Sequence, residues 1–125
     1  MKIECVKNKL VEAVYKAEKI TGKNLTLPIL SCLLLEAKKN TLTIQATNLE
    51  LGIKISLPTR VATDGVVAVP GGIFYNFLSQ LPNDSNVFIE LVDKNLTIKT
   101  KNVNTSFNTF STEDFPLIPN VSSVH

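Results

Sequence analysis

From Met1 to Val6 polar and apolar residues alternate, Lys2 and Glu4 on one side and Ile3 and Cys5 on the other, which is the period of a half-buried strand. At Lys7 the period changes. Val6, Leu10, Val14 and Ala17 recur at helical spacing, Ala13 and Ile20 widen the stripe, and Thr21-Gly22 ends it, so an amphipathic helix is predicted. Its other face carries Lys9, Glu12, Lys16, Lys19 and Lys23, with Glu12 and Lys16 in the favourable orientation of an i,i+4 pair. That face is predominantly cationic.

After Thr26-Leu27-Pro28, three strands are predicted over Ile29 to Ala37, Thr41 to Thr47 and Leu49 to Leu57, separated by Lys38-Lys39-Asn40 and a break at Asn48. The pattern then restarts. Gly65 to Pro70 reads as a strand, and Ile73 to Leu81 as a helix with Ile73, Phe74, Phe77, Leu78 and Leu81 on its apolar stripe, stopped by Pro82-Asn83-Asp84. Strands over Asn86 to Val92, Asn95 to Lys101 and Thr105 to Ser111 complete it. Each half, about 1–60 and 61–119, therefore reads strand, helix, three strands. Leu42-Thr43-Ile44 recurs as Leu96-Thr97-Ile98 in the second strand after each helix, each following a Lys-Asn turn. An α+β fold is expected, in which two helices lie side by side on one surface of curved antiparallel sheets, because each apolar stripe needs a sheet face to cover.

Composition narrows this picture modestly. The 125 residues are 44% hydrophobic, enough for the core of one domain. A net charge of +2 does not by itself mark a nucleic-acid binder. Its distribution is more telling, since Lys2, Lys7, Lys9, Lys16, Lys19 and Lys23 crowd the first helix and its flanks. Cys5 and Cys32 lie in apolar, strand-like runs, too far apart for a short-spaced metal motif, and read as buried thiols. No apolar run reaches membrane-spanning length, no signal peptide is recognisable, and a cytosolic protein is expected.

Catalysis finds no support. The acidic residues fall mostly in turns or at polar strand positions, and the only histidine is the terminal His125, so no nucleophile and base, metal set or cofactor motif is assembled. Gly71-Gly72 has neither GxGxxG spacing nor a Walker lysine and reads as a backbone turn into a helix.

Four stretches carry a family resemblance: Thr26-Leu27-Pro28-Ile29-Leu30-Ser31-Cys32-Leu33-Leu34-Leu35, Leu42 to Ile53 with Ala46-Thr47-Asn48-Leu49-Glu50, Val67-Ala68-Val69-Pro70, and Asp114-Phe115-Pro116. In their order and positions they resemble the amino-terminal domain of the bacterial DNA polymerase III beta subunit, the sliding clamp family. The resemblance covers nearly the whole chain and implies a DNA-clamp fold and a non-enzymatic role. In that family three such domains form a subunit, and two subunits close head to tail into a ring around duplex DNA. Helices line the hole and sheets form the rim. Such a lining must attract phosphates without reading bases.

The resemblance thus implies DNA-facing roles for Lys9, Lys16, Lys19 and Lys23, for Asn24 in the loop where better-known members carry arginine, and for Asn76 and Gln80 on the second helix. By itself a lysine-rich helix face is usually solvated surface. It further implies a ring interface at Ile73, Phe74, Phe77 and Phe107, with strand pairing along residues 102–110. Polymerase III and the clamp loader would be met through the second and third domains, which a chain of this length lacks, so no peptide pocket is assigned to it. A cytoplasmic, nucleoid-associated protein with no cofactor or metal is expected. The alternative is an antiparallel-sheet module that pairs strands with a protein partner and has no use for lysines on its helices.

Overall fold

A computed structural model describes residues 1–21, 31–47, 52–110, 112 and 121–124, the last four by their backbone. Its elements in chain order are β1 (Lys2–Val6), α1 (Lys7–Glu18), β2 (Cys32–Lys38), β3 (Thr41–Thr47), β4 (Gly52–Pro58), β5 (Arg60–Thr63) and β6 (Gly65–Pro70). The chain continues through α2 (Gly71–Ser79), β7 (Asn86–Val92), β8 (Asn95–Lys99), β9 (Asn104–Asn108) and β10 (Val121–Val124). Two five-stranded sheets result, one ordered β5-β1-β7-β8-β9 and the other β10-β4-β3-β2-β6.

The expected duplication appears as an exchange. β1, from the first half, pairs antiparallel with β7 in the second half's sheet, while β6, from the second half, pairs antiparallel with β2 in the first half's sheet. Each half donates its leading strand to the other's sheet. The helix that follows carries the chain back over the shared core. Leu42-Thr43-Ile44 and Leu96-Thr97-Ile98 occupy corresponding strands, β3 and β8, and all four aliphatic side chains are fully buried. The equivalence extends to cross-strand partners: Thr43 faces Ser56 and Thr97 faces Ser106, with hydroxyls 3.4 Å and 3.2 Å apart.

One core joins the two sheets and helices. Leu10, Val14 and Ala17 of α1 share one buried cluster with Leu33, Leu35, Leu42 and Ile44 of one sheet and Ile89, Leu96 and Ile98 of the other. α1 lies against β3 and β4, α2 against β2 and β6, and the helices touch. The alternation read from the sequence is therefore real burial: in β3, β7 and β8 every second residue points into this core.

Several boundaries differ from the sequence reading. Val6 is not part of the apolar helical stripe; it ends β1 and is 39% exposed, while the next residue, Lys7, is buried. α2 begins at Gly71 rather than Ile73, because Pro70 supplies the extended N-cap conformation and both glycines form the first turn. The helix then ends before Leu81. The repeated Lys-Asn pairs also differ in role. Lys39 and Asn40 both adopt positive φ, 51° and 57°, as a two-residue hairpin turn requires, whereas Asn95 already opens β8 after an Asp93-Lys94 turn.

Two strands went unpredicted. β5 exposes three of its four residues, leaving only Val61 partly covered, so no alternation marks it. β10 pairs with β4 in parallel, the exception among the described strand pairings. The Ile29-Leu30 start of the second predicted strand and its Thr26-Leu27-Pro28 entry lie outside the described residues, as do Asn48 and Asp114-Phe115-Pro116.

Candidate nucleic-acid interface on the paired helices

α1 presents one face to the core and the other to solvent. Leu10, Ala13, Val14 and Ala17 are buried, while Asn8, Lys9, Glu12, Tyr15, Lys16 and Lys19 are exposed. Three of the lysines expected to face DNA therefore share one surface. Lys23 and Asn24 lie outside the described residues. On α2 the exposed polar side chains are Asn76 and Ser79, with Gln80 at the C-cap, and the helix carries no basic residue.

Lys7 is withdrawn from this surface. Only 7% exposed, it directs Nζ to Asn83 Oδ1 at 2.8 Å. The same turn secures the helix start: Lys7 N–H donates to the Ser85 carbonyl at 2.8 Å, which satisfies one of the amides a helix start leaves without an intrahelical acceptor. Val6 provides no side-chain cap.

The remaining lysines are unequally engaged. Lys16 Nζ lies 3.3 Å from Glu12 Oε1, the pair expected from their spacing. Lys19 Nζ sits 4.3 Å from the centroid of the Tyr15 ring, within cation–π range. Tyr15 also meets Tyr75 of α2, ring centroids 5.5 Å apart and planes tilted by 38°. Among the described residues Lys9 has no ion-pair partner. The two tyrosines were not anticipated as part of this surface. The signal available for them was the four-residue spacing of Tyr15 and Lys19, which stacks side chains on one helix face.

The residues assigned to ring closure divide. Ile73 is 56% exposed at the start of α2, and Phe77 and Phe107 are half-buried with rings in edge contact, centroids 5.5 Å apart at 73°. Phe74 is different. At 1% exposure it belongs to the core and offers no surface to a partner; the helical period that turns Ile73 outward turns its neighbour inward. β9 forms one edge of its sheet.

Among the described residues no three His, Cys, Asp or Glu side chains gather to hold a metal ion, and no helix is long and apolar enough to cross a membrane. The thiols are withdrawn from reactivity. Burial, aided by the charge of Glu4, pushes Cys5 up to about 12, and burial pushes Cys32 to about 11 against an opposing hydrogen bond from Ser31.

Paired helices beside two sheets with exchanged leading strands define a DNA-clamp domain. Similar structures share it across most of this chain: the sliding clamp of Caulobacter crescentus superimposes with a TM-score of 0.91 at 23% identity over 96% of this chain and 33% of its own. The Helicobacter pylori beta clamp bound to a DNA ligase peptide gives 0.90 at 30% identity, covering 96% of this chain and 34% of that one. The chain belongs to the DNA polymerase III beta subunit family, whose N-terminal domain profile matches residues 1–119. The beta sliding clamp of Synechococcus elongatus is 30% identical over 125 residues, 98% of this chain and 33% of the relative. The chain thus spans about a third of the length of the relatives it matches.

Proposed function

We propose that this chain is one sector of a ring that encircles duplex DNA and holds a replicative polymerase to its template, without a catalytic step of its own. The observation that carries the reading is the α1 surface. Lys9, Lys16 and Lys19 project from the side of the helix opposite the core, and family membership supports reading that side as the one turned to DNA. Phosphates would be met by flexible ammonium groups, which attract the backbone and recognise no base. Lys23 and Asn24 would extend the contact, and Asn76 and Gln80 would add uncharged polar groups from α2. A ring must not grip, and such a surface suits it.

Closure into a head-to-tail homodimer would use Ile73, Phe77, Phe107 and the edge of β9, since an edge strand offers backbone donors and acceptors to an incoming strand. Phe74 would act beneath them as the core anchor of α2. The polymerase and clamp loader would bind parts of the full-length protein beyond this domain; the H. pylori relative is bound to a DNA ligase peptide. The setting would be the cytoplasm, at the nucleoid.

The test compares full-length protein loaded on nicked circular duplex with the same DNA after linearisation. Retention on circles and loss through free ends, with loading reduced by changing Lys9, Lys16, Lys19 and Lys23 to glutamate, is the expected result. Equal loss from both forms, set only by salt, would identify an ordinary binding or strand-pairing module.

A further inference from the structure

At about 3.6 residues per turn, Glu12 falls near the middle of the exposed arc of α1, with Lys9 and Lys16 on one flank and Lys19 and Tyr15 on the other. Its side chain is 70% exposed. An acid at the centre of a surface meant to attract phosphates works against attraction. Its contact with Lys16, half exposed itself, adds little to folding, because solvent screens such a pair. Its effect is on the field above the helix instead.

Tyr15 acts in the same direction. The Lys19 ammonium lies over its ring, and the same ring meets Tyr75 of α2. Two of the three described lysines on this face are therefore engaged by neighbours on α1, and α2 contributes no compensating cation.

We propose that Glu12 and Tyr15 are positioning residues that brake the interface: they hold Lys16 and Lys19 against the helix and lower the number of phosphates this face neutralises, keeping the contact weak enough to slide. The inference rests on the reading of α1 as DNA-facing. Each phosphate contact released by breaking the brake steepens the dependence of log K on log salt by about 0.9.

The experiment measures binding of the full-length protein to short linear duplex across a salt series, with the diffusion coefficient of loaded rings on long DNA. Glu12→Gln keeps the shape and removes the charge. It is expected to bind roughly threefold to tenfold tighter at low salt, with a steeper slope and slower diffusion, and with an unchanged melting temperature. Tyr15→Leu should shift binding the same way. Glu12→Asp and Tyr15→Phe, which retain the charge and the ring, should restore slopes near the parent's. Lys9→Gln is the reference, expected to weaken binding. If Lys9→Gln weakens binding while Glu12→Gln leaves it unchanged or weaker, the brake is refuted and the DNA-facing reading stands. If neither variant changes binding, both are refuted.

Discussion

Asn8 and Asp84, 76 positions apart, exchange two hydrogen bonds: Asn8 Nδ2 donates to Asp84 Oδ1 at 3.0 Å, and the Asp84 N–H donates to Asn8 Oδ1 at 3.1 Å. With the Lys7 contacts to Asn83 and Ser85, this pair fastens the first turn of α1 to the turn that follows α2. Asp84 adopts a φ of 62° to make it, a conformation that aspartate tolerates better than most residues. Asn8→Ala should therefore lower stability by about 1 kcal/mol. Asp84→Gly, which relieves the backbone while losing the acceptor, should cost less than Asp84→Ala. Urea unfolding of the three variants checks the order.

Gly71 and Gly72 are adjacent in α2 and should respond oppositely to alanine. A Cβ at Gly71 would lie 3.2 Å from the Ser31 carbonyl oxygen and 3.3 Å from Leu33 Cγ, whereas one at Gly72 meets nothing within 4 Å. Gly72→Ala should stabilise by roughly 0.5–1 kcal/mol through reduced freedom of the unfolded chain. Gly71→Ala should destabilise by about 1–3 kcal/mol through overpacking. Thermal melts of the two proteins should move in opposite directions.

Ile73 and Phe74 would let the proposed ring closure be separated from folding. Phe74→Ala removes a buried ring and should cost about 3–5 kcal/mol. Ile73→Glu alters an exposed position, so the domain should melt as before while the full-length protein loses dimer in sedimentation. A dimer that survives Ile73→Glu at low micromolar concentration would remove Ile73 from the interface.

Cys5 and Cys32 set a limit at high pH. In the unfolded chain both thiols ionise near 9.0; in the fold they remain protonated to about 12 and about 11. Above pH 9 the unfolded state therefore binds fewer protons, and stability, intact below that pH, should fall as pH rises through the folded values. Cys5→Ser and Cys32→Ala variants should show a shallower decline between pH 9 and 11 in denaturant titrations. In the folded parent, alkylation at pH 8 should proceed only at the rate of unfolding.

Much of the architecture was legible because burial follows simple periods. Thr41–Thr47, Gly65–Pro70 and Asn86–Val92 have the boundaries their patterns implied: alternate residues of the first and last are buried, and Val67-Ala68-Val69 is a continuous buried run in the other. β5 was not legible: it is held by backbone pairing with β1 and by the Val61 N–H on Asn40 Oδ1, and three of its four residues are exposed. Nor could periodicity reveal the exchange of β1 and β6, because pairing partners depend on where the helices return the chain. At the helix surface, residue type and spacing placed Lys9, Lys16 and Lys19 outward. They could not show that Lys7 turns inward, a consequence of Asn83 arriving from the other half, or that Phe74 is committed to the core.

The exchanged leading strands make each half an incomplete object. Separated between Pro58 and Gly65, the first half would keep β2, β3 and β4 but lose the β6 strand beside β2, and its own β1 would have no β7 to join. A lone copy of the repeating unit could fill both vacancies only by trading strands with a second molecule. The short crossing through β5 is thus the tether that keeps this exchange within one chain, where closure is first-order and independent of concentration.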